Sequence, residues 1–184
     1  MPTDEELARG AQHGHRHDLA TLVERHHGPL LGYLFRMSGG DRALAEDWAQ
    51  ETFLRLLRAM NQYRYPRPFK PWLYAIATNL ARDHFKQAEM RHADSEADRE
   101  SAWGAASDRS AGPEASVLIG DEAQQVARAI SALPLQQREA ILLRYYQDWS
   151  LAEIGDALGV PLGTVKSRLS SGLRRLRGLL KDEE

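Results

Sequence analysis

Two blocks of apolar residues at helical spacing, parted by a glycine and a proline, dominate the last third of the chain. Leu151, Ile154 and Leu158 share one side of a first helix, and Gly159 follows where a left-handed, Cβ-free residue most cheaply ends it. Pro161 is tolerated only near a helix start, so a second helix begins about there. On it Val165, Leu169, Leu173, Leu176 and Leu180 recur at spacings of four, four, three and four, which places them in one stripe. Ser150 and Glu153 have the spacing of a capping box, and Trp149 with Ile154 that of a hydrophobic staple. The pattern predicts helix, tight turn, helix.

The same reading carried along the rest of the chain predicts helices only. A short helix spans 4–12. A longer one spans 18–37, with Leu19, Leu22, Val23, Leu30, Leu34 and Met37 inward, a kink expected at Gly28-Pro29, and Gly39-Gly40 ending it. Asp41 suits the N-cap of a third helix that buries Leu44, Trp48, Phe53, Leu56, Leu57 and Met60. Pro66, Pro68 and Pro71 make 61–71 a stiff loop, after which 72–91 resumes as helix around Leu73, Ile76, Ala77, Leu80 and His84. From about 88 to 112 the period dissolves into alanine, serine, glycine and charge, with Trp103 the one large apolar residue. Helical pattern returns at 116 with Ile119, Ala123, Val126, Ala127, Ile130 and Leu133 inward, and 135–146 is another helix. The expected fold is all-α. Two small helical domains, 1–90 and 115–184, are joined by a flexible acidic linker, 91–114, and the second contains the helix-turn-helix.

Composition narrows the function. A chain of 184 residues, 42% hydrophobic and 27% charged, suffices for two small domains. Its net charge of −2 excludes an indiscriminate polycation, so nucleic-acid binding must come from local patches. With no cysteine, disulfide frameworks and cysteine-ligated zinc are excluded. There is no apolar run of membrane-spanning length and the first residues are too polar for a secretory signal, so a cytoplasmic protein without membrane insertion is expected. His13, His15, His17, His26 and His27 invite a metal reading, but no regular element arranges them as a ligand set, and neither a metal nor another cofactor is expected. No phosphate loop, paired carboxylates or nucleophile with a base is evident, which points away from an enzyme.

Three surfaces carry candidate chemistry. The second helix of the C-terminal pair presents Thr164, Ser167, Ser171 and Arg174, flanked by Lys166, Arg168, Ser170, Arg175 and Arg177, and no acid intervenes between Asp156 and Asp182. Short polar groups between cations suit a DNA major groove; a solvated basic helix is the alternative. In the 61–71 loop Tyr63, Tyr65 and Phe69 alternate with Arg64, Arg67 and Lys70, as a single strand with exposed base faces and charged phosphates requires. The alternative is a loop pinned to the core by its rings. The next helix offers Asn79, Arg82 and Lys86 on its polar side. On the third helix Asp47, Gln50 and Glu51 line one face with Glu46 beside them, for which a solvated acidic face is the alternative.

Taken together, AEDWAQETFLRLLR at 45–58, FKPWLYAIATNLARDHFK at 69–86 and LPLQQREAILLRYYQDWSLAEIGDALGVPLGTVKSRLSSGLRRLR at 133–177 give the chain a resemblance, over nearly its whole length, to the extracytoplasmic-function (ECF) sigma factors of bacterial RNA polymerase. The resemblance implies docking of Asp47, Gln50 and Glu51 on the polymerase core. It implies capture of the unwound −10 promoter strand by the 61–71 loop and Asn79, and reading of the −35 duplex by Lys166, Ser167, Arg168, Ser170 and Ser171. It also implies an anti-sigma partner and a monomer when free. Some relatives have bulky or basic residues where Ser170 and Ser171 stand, so the DNA sequence read does not transfer. Two other classes compete. A response-type regulator would need a sensor domain, commonly α/β, before residue 90; a histidine-dependent metal hydrolase would need an inward ligand set.

Overall fold

Local side-chain caps start several of the helices and positive-φ glycines follow the ends of others, as local chemistry requires. Thr3 with Glu6, and Ser150 with Glu153, form reciprocal capping boxes, and the Asp41 carboxylate accepts from the Leu44 N–H at 3.0 Å. Gly39, Gly40 and Gly159 adopt positive φ of 77°, 93° and 66° at the ends of their helices. The computed structural model describes residues 1–97 and 121–181, with side chains at 1–91 and 123–181. Among these residues there are eight α-helices, one short 3-10 turn and no strand: α1 Asp4–Gln12, α2 Arg16–Met37, α3 Arg42–Ala59, the turn Met60–Gln62, α4 Phe69–Ala97, α5 Asp121–Ser131, α6 Leu135–Tyr145, α7 Leu151–Leu158 and α8 Leu162–Lys181. The fold is all-α.

Several details of the helices depart from the sequence reading. α4 begins at Phe69 rather than at 72, because Pro71 falls in its first turn, where no intrahelical N–H is needed. It continues to Ala97, into the segment expected as linker; the remainder of that segment, the expected helix start at 116 and Ile119 lie outside the described residues. On α3 the buried stripe is Ala45, Trp48, Ala49, Thr52 and Leu56, so Leu57, one residue round the helix, is left 46% exposed. On α5, Ala123, Val126 and Ala127, expected inward, are exposed, while Ala129 and Ile130 are buried.

The two halves share a core. Tyr74 on α4 lies 4.8 Å, centroid to centroid, from Trp149 ahead of α7, and its hydroxyl donates to Gln147 Oε1 at 2.9 Å. Arg138 on α6 donates to the Met37 carbonyl at the end of α2 at 2.8 Å. Both carboxylate oxygens of Glu139, itself 0% exposed, accept from the Arg82 guanidinium at 2.6 Å. Burying these charges is costly unless they pair, and this fork of two parallel bonds is the strong form of the pair.

Candidate nucleic-acid interface

A backbone hydrogen bond and a glycine keep the turn between α7 and α8 tight. The Val160 N–H returns to the Gly155 carbonyl, and a Cβ on Gly155 would stand 3.0 Å from the Val160 oxygen, so the close approach favours glycine there. α8 then buries Val165, Leu169 and Gly172, the last packed so closely that its Cβ would lie 3.1 Å from Ile141 Cγ1 on α6. Burial of that stripe turns Lys166, Ser167, Ser170, Arg174 and Arg175 to solvent and leaves Thr164, Arg168 and Ser171 half-buried. The eight residues expected to read duplex DNA thus lie on the exposed side and flanks of α8. One flank is not free. Ser167, Arg168 and Ser171 face Arg82, Lys86 and Glu89 of α4 across a cleft of about 590 Å³, and one Arg168 guanidinium nitrogen is enclosed without a hydrogen-bond partner among the described residues.

The 61–71 segment splits its residues. Tyr63 and Phe69 are 5% and 0% exposed and pack on Trp72 at 5.2 and 6.0 Å, so neither is the stacking wall expected of it. Burial pushes the Tyr63 phenol up to about 12, and its hydroxyl donates to the Arg67 carbonyl. These two rings hold the loop to the core. Lys70 also departs: its ammonium lies 5.1 Å from the centre of the Trp149 ring. Tyr65, at 46% exposed, is the ring of the loop left to solvent, with Arg64 and Arg67 exposed beside it. A narrower cavity of about 140 Å³ opens next to them, lined by Gln62, Tyr63, Arg64, Arg67 and Trp72 and faced by Asp156 of α7. Asn79 is exposed on α4, its amide oxygen 3.5 Å from Arg82. Trp72 and Gln62 were not foreseen as cavity walls; a tryptophan directly after a proline, at a loop's edge, is the signal available for the first.

On α3, Asp47 and Gln50 are exposed with no side-chain hydrogen bond or ion pair among the described residues, whereas Glu51 accepts from Arg55 at 2.9 Å. The same face continues into Leu54 and Leu57, 40% and 46% exposed, which sequence periodicity had left unassigned or placed inside. The histidines divide differently. His26 Nε2 lies 2.8 Å from Asp4 Oδ2, His27 stacks near Phe53, and His13, His15 and His17 are exposed. Among the described residues no group of three ligating side chains is placed to hold a metal, and no helix is long and apolar enough to cross a membrane.

The family model for sigma-70 region 2 matches residues 22–91, and that for sigma-70 region 4 matches 123–176. The chain is 36% identical over 163 residues to the RNA polymerase sigma factor CarQ of Myxococcus xanthus, covering 89% of each protein. It is 32% identical over 173 residues to the ECF RNA polymerase sigma factor SigW of Bacillus subtilis (strain 168), covering 92% of each. The chain belongs to the ECF sigma-factor family. Its fold is similar to that of CnrH, solved in complex with the cytosolic domain of CnrY, with a TM-score of 0.72 at 24% identity over 98% of this chain and 99% of that one. In this sigma factor α3, the loop and most of α4 fall within the region 2 match, and α6, α7 and most of α8 within the region 4 match. α1 precedes the region 2 match.

Proposed function

We propose that the protein binds core RNA polymerase and gives it a promoter address in the cytoplasm, without itself catalysing a reaction. Residues 1–90 and 115–184 act as the two DNA-binding domains, joined through 91–114. The observation that carries polymerase binding is the α3 face: Asp47 and Gln50 are unspent polar groups, and Leu54 and Leu57 extend them into an exposed apolar patch away from the helix's buried stripe. Apolar centres with polar rims are the usual anatomy of a protein interface. The loop and α4 take the unwound −10 strand, with Tyr65 for stacking, Arg64 and Arg67 for phosphates, the cavity beside Gln62 and Trp72 for a base, and Asn79 for a base edge. α8 reads the −35 duplex through Thr164, Lys166, Ser167, Arg168, Ser170, Ser171, Arg174 and Arg175. The free protein is a monomer, and an anti-sigma partner holds it as the cytosolic domain of CnrY accompanies CnrH.

The test is binding to core polymerase by Asp47→Lys with Glu51→Lys and, separately, by Leu57→Asp. Each should weaken binding at least tenfold at unchanged helical content. Unaltered core affinity in both would return α3 to a solvated face.

A further inference from the structure

The loop between Gln62 and Phe69 makes few hydrogen bonds of its own, and its two ends are fixed by the N-terminal helix. Gln12 on α1 donates from one amide nitrogen to the Met60 carbonyl at 2.9 Å and to the Tyr63 carbonyl at 2.7 Å, at the loop's entry. At its exit the Glu5 carboxylate accepts from the Phe69 N–H at 3.1 Å, serving the open N-terminus of α4 as a cap drawn from 64 residues away. Between them Arg9 places its guanidinium 5.1 Å from the centre of the Tyr65 ring. Residues 5, 9 and 12 are spaced four and three apart and so share one face of α1. The helix is itself anchored: Leu7 and Ala8 are buried, and Asp4 pairs with Arg25 at 3.0 Å and lies 2.8 Å from His26.

We infer that α1, which lies ahead of the matched region 2, is a positioning brace for strand capture, with Gln12 setting the loop's entry and Arg9 orienting Tyr65 and adding a cation to the strand's path; this rests on the loop being the strand-binding element. A base leaving the stack gains most from an aromatic surface that is already in place, because ordering a loop on binding subtracts from affinity. A primary amide is suited to this role, since one –NH₂ group supplies donors for two carbonyls. A carboxylate of the same shape would set negative charge against both oxygens.

The experiment uses holoenzyme assembled from core polymerase and the full chain. The probe is the single-stranded oligonucleotide that wild-type holoenzyme enriches from a randomised pool, compared with the unselected pool. Tyr65→Ala reports on the loop itself. Gln12→Glu and Arg9→Ala report on the brace, and core affinity is measured for every variant. The brace predicts that Gln12→Glu weakens selected-strand binding about tenfold, with core affinity and binding of the unselected pool unchanged, and that it adds nothing further in a Tyr65→Ala background. Arg9→Ala, at an exposed position that does not threaten folding, should show the same loss on the selected strand and a smaller one on the unselected pool, because a phosphate contact carries no sequence information. Wild-type discrimination in Gln12→Glu and Arg9→Ala, with loss in Tyr65→Ala, would overturn the brace and leave the loop's role standing. Wild-type discrimination in Tyr65→Ala as well, or no strand enriched at all, would overturn the brace together with the reading beneath it.

Discussion

Replacing Arg82 with alanine should open the molecule. Arg82 on α4 holds both oxygens of Glu139 on α6, and this contact joins the two halves. The hydrogen bond to Glu139 raises the Arg82 pKa, so the cation stays charged throughout the working range. Glu139 is fully enclosed while Arg82 is half-buried, and that difference makes the two truncations unequal. Arg82→Ala strands a buried carboxylate, which costs about 3–5 kcal/mol if the halves stay together. Separation lets water relieve that cost, so the closed-to-open ratio should fall by about two orders of magnitude at the lower figure. Glu139→Gln leaves a guanidinium that can reach water, and should shift the ratio far less. The closed arrangement also bears on DNA. B-DNA's major groove, about 12 Å wide, receives a whole helix, but α4 stands against one flank of α8, and Asp156 of α7 lines the cavity beside Arg64 and Arg67. Apparent affinity for duplex then scales with the open fraction, so Arg82→Ala should bind −35 duplex more tightly than wild type. Because the chain has no cysteine, Ala43→Cys with Ala152→Cys, both exposed, gives a pair of dye sites for energy transfer between the halves. Lower transfer and tighter duplex binding in Arg82→Ala, with Glu139→Gln between it and wild type, is the expected order. Unchanged transfer and unchanged affinity would refute the reasoning.

Two further outcomes follow from local contacts. The Glu153 carboxyl is held below its ordinary range, first by the Ser150 backbone N–H and then by the Ser150 side chain; a depressed folded pKa contributes stability above the ordinary carboxylate value and loses it as pH falls through the folded one. Glu153→Gln keeps the capping geometry without the charge, so thermal unfolding should find wild type the more stable at neutral pH and the two equal in strong acid; a difference that persists in acid would contradict this. Gly172→Val should lower the urea midpoint by an amount equivalent to about 1–3 kcal/mol, since even a Cβ there meets Ile141 Cγ1 at 3.1 Å and Gln137 Cβ at 3.4 Å; an unchanged midpoint would mean that α6 and α8 can part at no cost.

What was legible in the sequence was whatever local chemistry decides. The Ser150–Glu153 box, the left-handed Gly159 and the stripe from Val165 are settled within a few residues, and α7, the turn and α8 follow them. Asp41 and the Gly39-Gly40 stop are legible in the same way. The fate of the loop's rings was not, because Tyr63 and Phe69 are drawn inward by Trp72 and by the brace from α1, contacts that no periodicity within 61–71 contains. Leu57 failed by a rotation of one residue, which separates a buried from an exposed position on a helix whose stripe includes a threonine; Thr52 enters the core because its hydroxyl donates to the Trp48 carbonyl at 2.7 Å. Glu139 reads as an ordinary surface acid among glutamines, and its burial depends on an arginine 57 residues earlier.

As a sigma factor, this chain should direct core polymerase to promoters. The most direct measurement is transcription by sigma-free core polymerase, with and without the purified protein, on a library of duplex fragments, with sequencing of the RNA 5′ ends. Starts gathered at a fixed distance from a shared pair of upstream sequences, dependent on the protein and lost in Asp47→Lys with Glu51→Lys, are the predicted result. Start sites and RNA yield that do not change when the protein is added, although it folds and core is active, would contradict the account.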